Sequence, residues 1–394
     1  MTRAITTALA AAALTAALAV PAAAGARAVP RGFLGVNLDL PLVEAQGSVP
    51  GEAARMAAAG VESVRLPVYW YRLQPWASRQ DAPVARRAGL VSVDGVPTDF
   101  AWLDRVVEAL DRRGLSLLPT VLGAPRWARA EAVGSGLLVP RDPARYASLL
   151  RGLIARYGPR GTFWRSHPRL PRRPVRTWQI WNEPDNPFYW PAPFAASYTR
   201  LLRASYAAVH AADPGARVLL ASLTNRSWDA LEELYAAGAR GAFDQVALNP
   251  FTRDPRDVLR VIDLGRRVMA SHGDGRMPVT VTEFSWPSSA GRLRVPFFAE
   301  VTRLGQAARV RQVVPLLARA RRSRRLTAVY WYTWASSDLG SNYTFRYAGL
   351  RRVLRGHTGD KPALAAFRAA ALGLEGCATK TVADRCAAPA RRRR

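Results

Sequence analysis

The chain has few of the residues that bind metals or form disulfides. Its 394 residues include two cysteines, four histidines and only two lysines. Two thiols without nearby histidines cannot complete a tetrahedral zinc shell, and the histidines are scattered, so we expect no metal site. Cys377 and Cys386 both lie near the end of the chain, where an oxidising compartment would let them close a local disulfide.

Long apolar runs are also missing, except at the N-terminus. There Arg3 precedes an Ala-, Leu- and Val-rich stretch that extends to Val20, and small residues lead to Ala-Arg-Ala at 26–28. This order is typical of a secretory signal peptide, so we predict a signal over residues 1–28 and a secreted, extracellular product. A membrane anchor is the alternative, but the run is short, and no later segment is apolar for long enough to cross a bilayer.

Acidic residues are scarce relative to basic ones. The chain has 57 Lys and Arg against 29 Asp and Glu, a formal net charge of +28. Clustered cations bind nucleic acid by releasing counterions from phosphate. These arginines are instead spread along the predicted helices and loops without a recognition helix or zinc knuckle, so we expect no specific nucleic-acid partner. A compositional bias is the simplest explanation, and an anionic cell-wall polymer or acidic polysaccharide is the partner that such a surface would favour.

Strand-like and helix-like segments alternate along the rest of the chain. The strand-like segments are short, apolar on both faces and rich in Val, Ile, Leu or aromatic residues, as parallel strands covered by helices are. Eight strands are predicted, at 33–38, 61–68, 115–122, 177–181, 217–222, 243–248, 278–282 and 326–334. Eight helices are predicted, at 51–59, 99–112, 142–157, 193–211, 228–239, 255–270, 294–320 and 361–371.

This alternation predicts an α/β protein with a (β/α)8 TIM barrel, and a doubly wound open sheet is the alternative. We predict a single barrel domain over residues 29–372, followed by a basic, mobile C-terminal tail over 373–394. The long connections 69–97, 123–141 and 335–360 follow predicted strands and should form the catalytic rim, whereas 159–176 precedes a strand and should lie on the opposite face.

Two of the predicted strands lead to a glutamate. Residues 178–184 read Trp-Gln-Ile-Trp-Asn-Glu-Pro, and residues 279–284 read Val-Thr-Val-Thr-Glu-Phe. Parallel strands of a barrel end at the same face, so Glu183 and Glu283 should converge. Hydrolysis of a glycosidic bond needs such a pair, one carboxyl to protonate the leaving oxygen and one to attack the anomeric carbon. For a lone glutamate, a salt bridge to one of the many arginines is the alternative.

These motifs, together with Tyr-Gly-Pro at 157–159, Gly-Thr-Phe-Trp at 161–164 and Ser-Trp at 285–286, resemble the clan A glycoside hydrolases, particularly bacterial proteins of families 39 and 5. The likeness covers nearly all of the chain after the predicted signal. In that clan the acid/base glutamate follows an asparagine at the end of strand four, and the nucleophile ends strand seven. The resemblance therefore implies a retaining glycosidase for β-linked carbohydrate that needs no cofactor, with Glu183 as acid/base and Glu283 as nucleophile.

Two further polar residues fit this chemistry. Asn182 can donate its amide to a sugar 2-hydroxyl, a contact that strengthens in the oxocarbenium-like transition state. Arg65, at the end of the second strand, would be costly to bury without an anion, so we predict that it pairs with Glu283 and holds it ionised. Glu183, near Trp181 and other apolar groups, should keep a raised pKa and start as the acid.

Tryptophans are candidates for the surface on which a sugar ring stacks. By the resemblance, Trp334 matches the tryptophan of strand eight in the clan. Trp190, Trp286 and Trp127 are further candidates at the rim. The alternative is that these rings fill the barrel or pack under helices.

One motif departs from the resemblance. Relatives usually have His-Pro-Tyr after strand six, with the tyrosine hydrogen-bonded to the nucleophile, whereas this chain has Asn249-Pro250-Phe251. Loss of the hydroxyl should raise the pKa of the nucleophile and weaken its positioning, unless the Asn249 amide takes over part of that task. The alternative function is therefore a catalytically impaired barrel that binds glycans or the cell envelope.

Overall fold

A computed structural model describes residues 26–39, 49–130, 139–340, 342–354 and 357–387. Within these ranges, eight parallel strands close into a barrel, as predicted, with the first strand paired to the eighth. In chain order the barrel strands are Leu34–Asn37, Ser63–Tyr69, Ser116–Leu122, Thr177–Ile180, Arg217–Leu223, Gln245–Leu248, Val279–Phe284 and Leu326–Trp331. The predicted signal peptide, except for its last three residues, lies outside the described residues.

The long helices alternate with these strands. They are Val49–Ala58, Ala101–Arg112, Pro143–Tyr157, Ala195–Ala212, Ser227–Ala236, Pro255–Ser271, Arg303–Ala320 and Pro362–Glu375. Asp142 and Asp254 cap two of them, each accepting a hydrogen bond from the backbone N–H two residues on, with proline at the first helical position. Of the helices in the described ranges, none is both long and apolar enough to cross a bilayer.

One predicted helix begins later than expected. The helix predicted from residue 294 starts at Arg303, where the Thr302 side chain accepts a hydrogen bond from the Gly305 N–H at 3.0 Å. Pro296 lies in the segment that was wrongly included, and proline disfavours helix in the residue before it. The residues before Thr302 form a loop over the C-terminal face of the barrel instead.

The long connections contain secondary structure of their own. After the second barrel strand lie the short helices Trp70–Leu73 and Val84–Arg87 and the hairpin of Val91–Val93 and Val96–Thr98. Before the fourth strand lies the short helix Thr162–Ser166. After the eighth strand lie the 3₁₀ helix Thr344–Tyr347 and a small sheet of Ala335–Ser336, Arg351–Leu354 and His357–Asp360.

The predicted C-terminal tail is largely part of the folded structure. The last helix runs to Glu375, and the chain that follows is closed by a disulfide between Cys377 and Cys386. Lys380 is buried and forms ion pairs with Glu375 and with Glu62, which directly precedes the second barrel strand. This segment therefore packs at the N-terminal end of the barrel, which corrects the expectation of a mobile tail; the last seven residues lie outside the described ranges.

Candidate active site

Glu183 and Glu283 line one cavity of about 400 Å³, referred to below as the central cavity. Glu283 belongs to the seventh barrel strand, and Glu183 comes three residues after the end of the fourth. Trp181 and Glu183 both have positive φ angles, 72° and 43°. Residues other than glycine rarely adopt positive φ angles, and those that do often lie at a functional site. The two carboxyl groups thus meet at the C-terminal end of the barrel, as the strand positions predict.

Arg65 lies at the floor of the central cavity, with its side chain 5% exposed. Its guanidinium donates hydrogen bonds to Glu283 Oε1 at 2.5 Å, Asn182 Oδ1 at 2.7 Å and Asn37 Oδ1 at 2.8 Å. Its Nε donates to Gln179 Oε1 at 2.7 Å. The predicted pair with Glu283 is present, and the neutral acceptors offset much of the cost of burying this cation.

Two asparagines hold Glu183. Asn249 Nδ2 donates to Glu183 Oε1 at 2.7 Å, and Asn186 Nδ2 donates to Glu183 Oε2 at 3.1 Å. The Thr282 hydroxyl donates to Asn249 Oδ1 at 2.8 Å, which fixes the amide with its nitrogen towards the carboxyl. Asn249 therefore contacts the predicted acid/base, whereas the sequence suggested that it compensates for a missing donor at the nucleophile.

Asn182 is held by its oxygen. Oδ1 accepts hydrogen bonds from Arg65 and from the Ser222 hydroxyl, the latter at 2.7 Å. Its Nδ2 has no acceptor in the part of the chain that the structure describes, and the residue lines the central cavity. The oxygen of the amide is therefore engaged within the protein and its nitrogen is not, and the donation to a sugar hydroxyl stays a prediction.

The electrostatics of the two carboxyls differ from expectation. Burial raises the pKa of Glu283 to about 8, against the opposing charge of Arg65, and the negative charge of Glu183 adds to the rise. Desolvation also raises the pKa of Glu183, while the hydrogen bonds from Asn249 and Asn186 lower it. The pairing with Arg65 thus does not outweigh burial, and the two carboxyls titrate as a coupled pair that retains a proton near neutral pH.

The four candidate tryptophans lie outside the central cavity. Trp334 is fully buried, and its indole N–H donates to Glu52 Oε2 at 2.6 Å. The others also donate to protein acceptors: Trp286 to the Arg253 carbonyl, Trp190 to the Ser197 hydroxyl and Trp127 to the Gln74 carbonyl. They pack within the scaffold, so the alternative interpretation from the sequence describes their positions better than a sugar-stacking role.

Tyrosines and phenylalanines form the cavity wall instead. They come from the end of the second strand and from the connections after the fourth, sixth and eighth strands: Tyr69, Phe188, Tyr189, Phe251, Tyr332, Tyr343 and Phe345. The Tyr332 hydroxyl donates to Asp39 Oδ2 at 2.6 Å, which places a third carboxyl in the cavity. Asp39 directly follows the predicted first strand, so its position after a strand end was a signal that the sequence analysis missed. Aromatic residues in irregular loops carry no periodic pattern that would identify them.

A second cavity of about 890 Å³ adjoins the central one. Glu183, Phe251 and Phe345 line both. The remaining wall of this outer cavity comes mainly from the loops after the fourth and fifth strands and the helix that begins at Ser227. The candidate acid/base thus stands between a smaller cavity that contains Glu283 and a larger one that does not.

Comparison with known proteins identifies the fold from structure alone. No family model matches the chain, and no curated protein matches its sequence. The structure is similar to a family 39 glycoside hydrolase from the gut symbiont Bacteroides cellulosilyticus WH2, with a TM-score of 0.59 and 16% identity over 88% of this chain and 64% of that one. It is also similar to a family 39 β-xylosidase from Caulobacter crescentus, with a TM-score of 0.60 and 18% identity over 87% of this chain and 72% of that one.

A third similar structure, one of two fungal β-1,4-galactanases, gives a TM-score of 0.56 and 18% identity over 86% of this chain and 100% of that one. Against the Bacteroides protein, this chain spans slightly less than two thirds of the length. At such identities the likeness is one of architecture. The chain therefore has the (β/α)8 fold of family 39 and related glycoside hydrolases.

Proposed function

We propose that the protein is a retaining glycoside hydrolase for β-linked carbohydrate, with Glu183 as acid/base and Glu283 as nucleophile. The observation that carries the proposal is the convergence of these glutamates in one cavity, each with its own hydrogen-bond donors. The aromatic wall supports it, since sugar faces stack on rings while hydroxyls find polar groups. The similar structures that are glycoside hydrolases support the same class of reaction.

Each residue has a defined part in double displacement. Glu183 transfers its proton to the leaving oxygen while the Glu283 carboxylate attacks the anomeric carbon and forms a glycosyl–enzyme bond. Glu183, now ionised, then takes a proton from water, which attacks the same carbon and releases Glu283. Asn249 and Asn186 stabilise the ionised form of Glu183 between the two steps, because they donate to its oxygens.

A second candidate is a glycan-binding barrel with impaired catalysis. It is favoured by the pKa of about 8 for Glu283, since a protonated carboxyl is a poor nucleophile at neutral pH. The Phe251 side chain, which has no hydroxyl to donate to Glu283, points the same way. A bound substrate excludes water from the cavity and adds its own hydroxyls, and both change the pKa of Glu283. The assay described below therefore distinguishes the two candidates.

We also propose that the protein is secreted and that its basic surface contacts an anionic cell-wall polymer. The N-terminal sequence supports secretion. The disulfide between Cys377 and Cys386 suits an oxidising compartment. The net charge of +28 supports the polymer contact.

The test is a panel of activated aryl β-glycosides assayed with wild type, Glu183→Gln and Glu283→Gln. Glu232→Gln is the matched control, since Glu232 is exposed and pairs with His272 away from both cavities. Hydrolysis by wild type and the control alone supports the proposal, and 2-fluoro glycosides should then label Glu283. If the wild type binds glycosides without hydrolysing them, the second candidate is favoured. If it shows neither binding nor hydrolysis, both candidates are refuted.

A further inference from the structure

The outer cavity is placed to receive the part of the substrate that leaves. Glu183, the proposed proton donor to the leaving oxygen, lines both cavities, whereas Glu283, Arg65 and Asn182 line only the central one. The sugar that is attacked must lie against Glu283, so the leaving group extends past Glu183. The volume of about 890 Å³ is at the upper end of the range for small-molecule sites, roughly 300–1,000 Å³.

The polar wall of this cavity is acidic. Asp185, Asp229 and Glu233 line it in addition to Glu183, and Arg226 is the one cation among the described lining residues. Arg226 pairs with Asp229 at 2.5 Å, and its own side chain is 80% exposed. It therefore offsets about one of these charges from the solvent side.

Apart from Arg226, no cation lines the outer cavity among the described residues, so its carboxylates are only partly balanced. Desolvation raises the pKa of Asp185, and the negative charge of Glu233 adds to the rise. Asp185 Oδ2 accepts hydrogen bonds from the backbone N–H and the hydroxyl of Thr224, while its buried Oδ1 has no partner among the described residues. Repulsion between neighbouring carboxylates in a partly desolvated wall is relieved by a bound cation.

This acidity is opposite to the charge of the whole chain. The protein carries twice as many basic as acidic side chains, yet the two adjoining cavities are lined by six acidic residues and two arginines. The acidic set consists of Asp39, Glu183 and Glu283 in the central cavity and Asp185, Asp229 and Glu233 in the outer one. A compositional bias towards arginine does not account for this local excess of acidic residues.

One side of the outer cavity is aromatic. The rings of Phe251 and Phe345 pack with centroids 4.9 Å apart, and Phe297 lies 5.5 Å from Phe345. Together the three rings offer an apolar surface of the kind on which sugar faces stack. The outer cavity therefore offers aromatic rings on which the face of a sugar ring can stack. It also offers carboxylates that can accept hydrogen bonds from the edge of that sugar or pair with a cation on it.

From this arrangement we propose that the outer cavity binds the leaving group and selects it by charge, taking a sugar unit that carries a free amine and disfavouring one that carries a carboxylate. The inference rests on the proposed function, in which Glu183 donates the proton to the leaving group. The basic outer surface and the acidic cavities then recognise different partners, and a polyanion that adheres to the surface is not the substrate.

The test measures binding without turnover. Glu183→Gln is titrated calorimetrically with tetramers of β-1,4-linked glucosamine, of N-acetylglucosamine and of galacturonic acid, at low and high salt. We expect the glucosamine tetramer to bind at least tenfold more tightly than either of the others at low salt. Adding Asp229→Asn and Glu233→Gln should reduce that preference about tenfold, since each partly exposed charge contributes a few-fold. Adding Glu232→Gln, on the same helix but outside the cavity, should leave it unchanged.

Equal binding of the three tetramers, binding of none of them, or a preference that survives the Asp229/Glu233 substitutions overturns the inference. A second experiment measures the hydrolysis rates of two glycosides whose leaving groups have the same pKa. One leaving group carries an ammonium and the other a carboxylate. Hydrolysis without a charge preference rejects the inference and leaves the proposed function standing. Amine-selective binding by a protein that hydrolyses nothing rejects the hydrolase proposal and retains the amine-selective site.

Discussion

Replacing Asn249 by alanine should move the pH profile of the reaction. The amide donates to Glu183 Oε1 at 2.7 Å and stabilises the ionised carboxylate more than the neutral acid. A hydrogen bond contributes about 1.5–3 kcal/mol to a charged partner and about 0.5–1.5 kcal/mol to a neutral one. The difference, roughly 1–1.5 kcal/mol, corresponds to about one pKa unit. Deleting the donor should therefore raise the pKa of Glu183 by about one unit.

The measurement is kcat/KM against pH with an activated aryl glycoside. Glu183 and Glu283 titrate as a coupled pair, so deleting the donor to Glu183 should shift the alkaline limb of the profile upward by up to about one unit. Breakdown of the glycosyl–enzyme, which needs ionised Glu183 as base, should slow at acidic pH. Glu232→Gln is the control and should leave the profile unmoved, because Glu232 is exposed and pairs with His272 outside both cavities. A lower rate with an unmoved profile in Asn249→Ala would refute the reasoning and leave Asn249 a purely structural role.

Three further outcomes test the fold and the site. Glu283 has a folded-state pKa of about 8, above its usual unfolded value of about 4.3. Its contribution to the free energy of unfolding is therefore fully present below about pH 4.3 and is lost as the pH rises from there through 8. Denaturant unfolding should therefore show Glu283→Gln gaining stability relative to wild type from pH 5 to 9, and a constant difference contradicts the shift. Trp334→Phe should lower the free energy of unfolding by about 1–3 kcal/mol through the lost bond to Glu52 and leave kcat/KM unchanged; a selective loss of kcat/KM restores the ring to the substrate site. Because Glu183 has φ 43°, Glu183→Gly should be about 1 kcal/mol more stable in urea than Glu183→Ala, the reverse of the usual order, and equal stability excludes strain there.

The sequence predicted the barrel and the glutamate pair because both depend on local patterns. Short apolar strands that alternate with helices leave few packing solutions, and each glutamate is fixed by its distance from a strand end. The residues around Arg65 were harder to recognise. Gln179 and Asn37 appear in the sequence as single polar residues within otherwise apolar strands, and only closure of the barrel brings them to one guanidinium.

The wall of the central cavity could not be predicted, for a different reason. The eighth strand ends at Trp331, three residues before the predicted end, so Trp334 lies beyond it and packs against Glu52 while Tyr332 lines the cavity. The C-terminal segment was misjudged because its polar residues suggest solvent exposure. Lys380 is buried there by ion pairs with residues far away in the sequence, and such pairs leave no periodic trace.

The cluster around Arg65 links the chemistry to the architecture. Its hydrogen bonds reach side chains from the first, fourth and seventh strands and from Asn182, which Ser222 of the fifth strand also holds. A buried guanidinium without these acceptors would destabilise the barrel, and the acceptors without the guanidinium would leave several polar groups unpaired. The same contacts fix the Glu283 carboxyl and turn the Asn182 amide towards the cavity. Stability at the barrel mouth and positioning for the proposed catalysis are therefore not separable at Arg65, whereas Asp229 and Glu233 of the outer cavity lie on one helix and are not among the acceptors of Arg65.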